Sequence, residues 1–140
     1  MRRFMASAGA LSILVSCASS PTVPSVPLAE FVLAPGESAM VSGTGLTVRF
    51  ERVVNDSRCP ANALCITAGD AEIALSVRRA GRPAEGLSLR IAGGGSRAEL
   101  GDWVLSFTQL SPYPFTDRTI APGDYRATFR VDPAPQPARP

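Results

Sequence analysis

Residues 71–78 read AEIALSVR, in which Ala71, Ile73, Leu75 and Val77 alternate with Glu72, Ala74, Ser76 and Arg78. Successive side chains of a β-strand point to opposite faces, so an apolar residue at every second position marks a strand with one face buried and one wet. The same period runs outward in both directions. Upstream, Leu46, Val48 and Phe50 alternate with Thr47, Arg49 and Glu51. Downstream come Leu87, Leu89 and Ile91, then Trp103, Leu105 and Phe107, and finally Tyr125, Ala127, Phe129 and Val131. Shorter runs at 31–33, 37–41 and 97–100 bring the expectation to about seven or eight strands.

Glycine and proline fall between these runs, at Pro35 and Gly36, 43–45, 81–83, 93–95, Gly101, and Pro122 and Gly123. No stretch carries a long apolar stripe of helical period. Strands that each bury one face are satisfied when two antiparallel sheets close over a shared core, so the expected class is all-β, an antiparallel sandwich or a small barrel. The chain's 140 residues suffice for one such domain.

Residues 120–129, IAPGDYRATF, resemble the proline, glycine, tyrosine approach to a late strand in fibronectin-type and other immunoglobulin-like domains. The resemblance implies an immunoglobulin-like sandwich. In it Gly123 would supply the positive φ of a type II turn, and the Tyr125 hydroxyl would turn back to a backbone group. Such a motif is architectural and brings no activity with it.

Ahead of the strands, Arg2 and Arg3 precede an apolar run at 4–15 and the small residues Ser16 and Cys17, the layout of a secretory signal. The run of 12 residues falls short of the roughly 20 needed to span a bilayer, so it is read as an export signal and not as a permanent anchor. Residues 14–17, LVSC, resemble the lipobox of bacterial lipoproteins. That resemblance implies removal of residues 1–16, diacylglycerol on the Cys17 thiol, and acylation of the new amino group. Because Ala18 stands after the cysteine where inner-membrane retention is associated with aspartate, it also implies the outer membrane, facing the periplasm. The alternative is an ordinary signal cut after Ala18, which would leave a soluble periplasmic product.

Residues 17–27 are small and proline-punctuated and read as a tether, extended at up to about 3.1 Å per residue. Residues 133–140, PAPQPARP, read as an unpaired tail, which leaves 28–132 as the folded body.

The most distinctive segment of that body is 55–70, NDSRCPANALCITAGD. Cys59 and Cys65 enclose five residues, and in an exported protein their expected state is a disulfide worth about 2 kcal/mol. With Cys17 lipidated or removed, no cysteine is left over. Asp56 and Arg58, two residues apart, are expected to fix the loop by pairing with each other or with its amides and carbonyls; the other reading places them, with Tyr113, in contact with a ligand. Asn55, Asp56, Asn62 and Asp70 offer oxygens to calcium but lack EF-hand spacing. Zinc would need more ligands than two cysteines supply, so no metal is assigned.

The string DSRCP, a second cysteine and AG followed by an acidic residue resemble a group of small bacterial secreted proteins and lipoproteins that carry DSRCP and Cys-x-Trp-Ala-Gly. The PYP of Pro112, Tyr113 and Pro114 matches theirs, whereas Thr67 stands where tryptophan is usual. The resemblance implies an exported β domain and supplies no catalytic residue.

Composition narrows the chemistry further. All 14 basic residues are arginine and there is no histidine. Without histidine and lysine the chain has no Ser/His/Asp or Cys/His relay, no Schiff base and no P-loop lysine, so an enzyme is not expected, nor is a cofactor. Beyond Arg2 and Arg3, 12 acidic residues balance the remaining arginines, which leaves no clustered basic face for nucleic acid. Carboxylate-only hydrolysis survives as a minor alternative, needing two acids about 5 to 9.5 Å apart in a groove. The leading expectation is a non-catalytic envelope lipoprotein that binds an unidentified envelope partner or ligand. The alternative is an inhibitor that inserts a rigid loop into a hydrolase, which requires residues 61–64 to be exposed.

Overall fold

The computed structural model describes residues 25–26, 30–92 and 96–135. Cys17, the signal and most of the tether lie outside the described residues, as do 93–95 and 136–140. The described chain forms nine strands: β1 Ser25–Val26, β2 Glu30–Leu33, β3 Ser38–Val41, β4 Leu46–Asp56, β5 Ala71–Arg79, β6 Glu85–Arg90, β7 Arg97–Glu99, β8 Trp103–Ser111 and β9 Arg126–Pro133. One sheet runs β1-β3-β4-β5-β6 and the other β2-β9-β8-β7. They form a β-sandwich that is not closed into a barrel. All pairings are antiparallel except that of β1, which lies parallel to β3 with Ser25 opposite Met40.

The alternation seen in the sequence is the burial pattern of the sheets. Ala71, Ile73, Leu75 and Val77 are buried along β5, and Leu46, Val48 and Phe50 along β4. From the facing sheet come Leu105 and Phe107 of β8 and Ala127, Phe129 and Val131 of β9. Phe129 centres the core, with ring centroids 5.7 Å from Phe31, 5.9 Å from Phe107 and, across the sandwich, 6.3 Å from Phe50. These separations fall in the range of favourable aromatic pairs.

Period two breaks in two strands, and each break serves the same end of the molecule. Register shifts in β4 between Phe50 and Arg52 and between Val53 and Asn55 are β-bulges. They change the inward spacing to three residues, so that Phe50, Val53 and Asp56 point inward in turn. A shift in β8 between Phe107 and Gln109 likewise brings Leu110 into the core.

The strand order, which the alternation leaves open, sets β3 to β6 in one meander and β7 to β9 in another, with β2 added beside β9. Two expectations need correction. The 120–129 segment folds as a 3-10 turn over Pro122–Asp124, and Gly123 is absent from the positive-φ glycines, so no type II turn forms. β6 stops at Arg90, because Ile91 makes a last bond to Ala71 and the Ala92 amide is then drawn to the Asp70 carboxylate; Ile91 is left partly exposed. Beyond these two points, backbone pairing is also present outside 28–132. Ser25–Val26 joins β3, Pro133 lies opposite Trp103, and the Ala134 amide donates to Asp102.

Candidate functional site

The bulged end of β4 leads straight into the cysteine loop, and the two are joined by a buried polar knot. Arg58 donates from Nε to Asp56 Oδ1 at 2.8 Å and from Nη2 to Asp56 Oδ2 at 2.7 Å, the two-pronged geometry in which guanidinium and carboxylate bind most strongly. Its remaining reach goes to the next loop, with Nη1 donating to the Leu110 carbonyl at 2.5 Å and Nη2 to the Pro112 carbonyl at 3.0 Å. Tyr113 then lies over the guanidinium at 4.9 Å. From below, the Tyr125 hydroxyl donates to Asp56 Oδ2 at 3.1 Å.

Burial would raise the Asp56 pKa, but the Arg58 hydrogen bonds and charge, with help from Tyr125, outweigh it and hold the carboxyl below its ordinary value. For Tyr125 burial and the Asp56 carboxylate act together and push the hydroxyl upward. The knot therefore keeps Asp56 ionised and Tyr125 protonated. It also explains the destination of the tyrosine hydroxyl, which meets a carboxylate before it meets a backbone group.

The expected Asp56 and Arg58 pairing is thus present. Tyr113, named with them as a ligand contact, joins the same cluster and remains about half exposed. Because Arg58 spends its donors on Asp56, Leu110 and Pro112, the knot orders two loops, and a ligand anion would have to displace these partners. A cavity of about 440 Å³ lies beside it, lined by Arg58, Gly69, Ile91, Leu110 and Tyr113 among others.

Beyond the knot, Cys59 and Cys65 are joined by a disulfide. The loop is tied back at both ends. Ser57 and Asp70 exchange bonds, the Cys59 amide donates to Ala68 at 2.8 Å, and the Ala61 amide donates to Pro114 at 2.9 Å. Asn62 forms a reciprocal clamp with Thr116, donating to its hydroxyl at 2.8 Å and accepting from its amide at 2.9 Å. Gly69 completes the base with φ +72°, and a Cβ there would stand 1.8 Å from the Ser57 carbonyl oxygen. Only glycine fits, which gives the AG of the motif a physical cause.

The tip does the opposite of the base. Leu64 and Ile66, on either side of Cys65, have relative exposures of 105% each, and Ala61 and Asn62 are also exposed. The sequence draws attention to Asp56, Arg58 and Tyr113 and gives the Tyr125 hydroxyl a backbone partner in place of Asp56; it does not single out Ile66 or the Asn62–Thr116 clamp. The available signal was a pair of large aliphatic residues inside a run of turn formers, where no alternation could bury them.

The carboxylates are dispersed among local partners. Glu51 pairs with Arg49, and Asp70 accepts from the Ala71 and Ala92 amides. Glu72 is held low by Ser88 and then Arg90. Asn55, Asp56, Asn62 and Asp70 are likewise engaged separately, and among the described residues no group of three or more cysteine and acidic side chains converges on one point. No described helix is long and apolar enough to cross a membrane. Comparison of the chain with protein-family models, with curated proteins and with solved structures finds no match, so the reading of this site rests on its own geometry.

Proposed function

We propose that the protein is a lipid-anchored envelope module without catalytic activity, which presents its cysteine loop to a partner. The observation that carries this reading is the exposure of Leu64 and Ile66 on a loop held by an ion pair at its base and, further along, by a disulfide and a side-chain clamp. Exposed aliphatic side chains gain nothing from water, and a rigid loop loses little conformational entropy when it binds, so the arrangement favours contact with an apolar pocket. Lipidation at Cys17 is supported by the LVSC string and by the pairing of the other two cysteines. Several acyl chains, at about 0.8 kcal/mol per buried methylene, exceed what stable attachment requires.

The test has two parts. Intact mass of the membrane fraction should show a diacylglyceryl-modified chain beginning at Cys17; an unmodified chain beginning at Ser19 refutes the anchor. A photo-crosslinker at position 64 in living cells should give a discrete adduct that is lost in the Ile66→Ser background and absent with the crosslinker at exposed Val32. No adduct specific to the loop refutes presentation.

The same protrusion favours a second reading, a hydrolase inhibitor. It predicts that the captured partner is a hydrolase whose activity falls on adding the protein and recovers with Leu64→Ser. A partner without hydrolytic activity excludes it.

A further inference from the structure

The charge balance of the whole chain hides a local excess. On the outer face of the β1-to-β6 sheet, Met40 is opposite Thr47 and Thr47 opposite Arg78, so their side chains share one face. The adjoining turns are held together by the Ala80 amide, which donates to Gly45 at 2.9 Å, and Arg79 is tied to Glu85 at 3.1 Å. Met40, Thr47, Arg78, Arg79 and Arg82 are among the residues that line an open concavity of about 440 Å³ here. Among the described residues, the guanidinium groups of Arg78 and Arg82 have no ion-pair or hydrogen-bond partner. Two unpaired guanidinium groups at the rim of one hollow form a cradle for an anion, and their planar forks suit phosphate.

Two further features select the kind of phosphate. Met40, 44% exposed, places an apolar side chain beside the arginines, as expected where headgroup meets acyl chain and not for a free anion in water. The first described strand also ends here: Ser25 lies opposite Met40 and Val26 opposite Val41, so β1, parallel to β3, runs towards the cradle from the side of the cysteine loop. Ser25 lies eight positions after Cys17, a span below about 30 Å even when fully extended. The cysteine loop lies at the other end of the β4–β5 ladder, which runs from Leu46 opposite Arg79 to Asp56 opposite Ala71, roughly 27 Å at strand rise.

We propose that the Arg78–Arg82 cradle binds the phosphates of an anionic lipid surface and so holds the sandwich with its cysteine loop directed away from the membrane. This inference rests on the envelope reading above and adds to it an orientation and a lipid class. A tether alone would let the body tumble and the loop meet the bilayer. Arginine contacts near the point of attachment would suppress that, at about 1 kcal/mol or five-fold for each residue near the surface.

The test uses the full chain carrying Cys17→Ser, which cannot be acylated, so its outcome is independent of lipidation; failure of the anchor is read separately from the mass of the unmutated protein. Cosedimentation is measured with phosphatidylcholine vesicles and with vesicles containing one third phosphatidylglycerol. Adding Arg78→Gln and Arg82→Gln should weaken binding to the anionic vesicles about 25-fold and leave binding to the neutral ones unchanged. Raising salt to 1 M should abolish the difference. Removing two charges from the other sheet, with Arg97→Gln and Arg130→Gln, should change anionic binding less than two-fold. The proposal is overturned if the cradle variant binds like its parent or if both pairs of substitutions have equal effect. It is also overturned if inorganic phosphate saturates the cradle while anionic vesicles show no preference for it.

Discussion

At the base of the cysteine loop, Asp56 and Arg58 are ion-paired with side chains only 8% and 6% exposed, while a few residues on, at its tip, Leu64 and Ile66 stand wholly in water. Charge inside and grease outside reverse the usual distribution. The reversal is tolerable because the two halves do different work. The base is a network in which no buried side-chain nitrogen or oxygen lacks a partner among the described residues. Fully satisfied polar networks of this sort specify one conformation. With its conformation fixed from below, the tip needs no burial to hold its shape. Five changes can break or sharpen this contrast.

Arg58→Met should have the largest effect. It strands the Asp56 carboxylate and removes the partners of the Leu110 and Pro112 carbonyls. Breaking one side of a buried pair costs about 3 to 5 kcal/mol, which denaturant unfolding would read as a large fall in midpoint. A loss below about 1 kcal/mol would mean that the knot does not hold the base. Gly69→Ala comes next, at roughly 2 to 3 kcal/mol, since the new Cβ meets the Ser57 carbonyl and the positive φ becomes strained.

Third is the disulfide. Replacing Cys59 and Cys65 by serine removes a short cross-link, so the unfolding free energy should fall by about 2 kcal/mol. The ion pair and the Asn62–Thr116 clamp remain, so the near-UV signal of Tyr125 should persist. If the tyrosine environment is lost as well, base and tip are one cooperative unit and not two.

Acid gives the fourth test and a smaller effect. The folded Asp56 pKa lies below its unfolded value, so its contribution is fully present above roughly pH 4 and is lost as pH falls through the folded value. Tyr125 has the opposite sign. Its raised folded pKa contributes stability below about pH 10 that is lost as pH rises through the folded value. Stability measured against pH should therefore fall on both flanks, and Tyr125→Phe should remove the Tyr125 share of the alkaline one.

The sandwich was legible in the sequence because strand alternation is local and each apolar run states its own buried face. Eight of the nine strands follow runs visible in the chain; the ninth, β1, is two residues long and presents no alternation at all. Strand order was not legible, since every alternating strand fits several neighbours. The site was read halfway. Asp56 and Arg58 are close in sequence and their pairing could be argued, but Tyr125 lies 69 positions from Asp56 and Thr116 lies 54 from Asn62, so those contacts exist only once two sheets stack. The bulges that turn Asp56 inward leave only a lapse in period, which by itself resembles the end of a strand.

The smallest effect on stability tests the tip. Leu64 and Ile66 contribute no buried area, so Leu64→Ser with Ile66→Ser should shift the unfolding free energy by less than about 0.5 kcal/mol in either direction. The unfolded chain exposes these side chains as well, so neither state gains from the change. A drop comparable to that of Gly69→Ala would show that the tip packs against the body, and its exposure would then say nothing about a partner. A null effect on folding together with loss of the position-64 crosslink separates the two halves of the loop, because the substitutions then act only where another molecule's pocket receives the side chains.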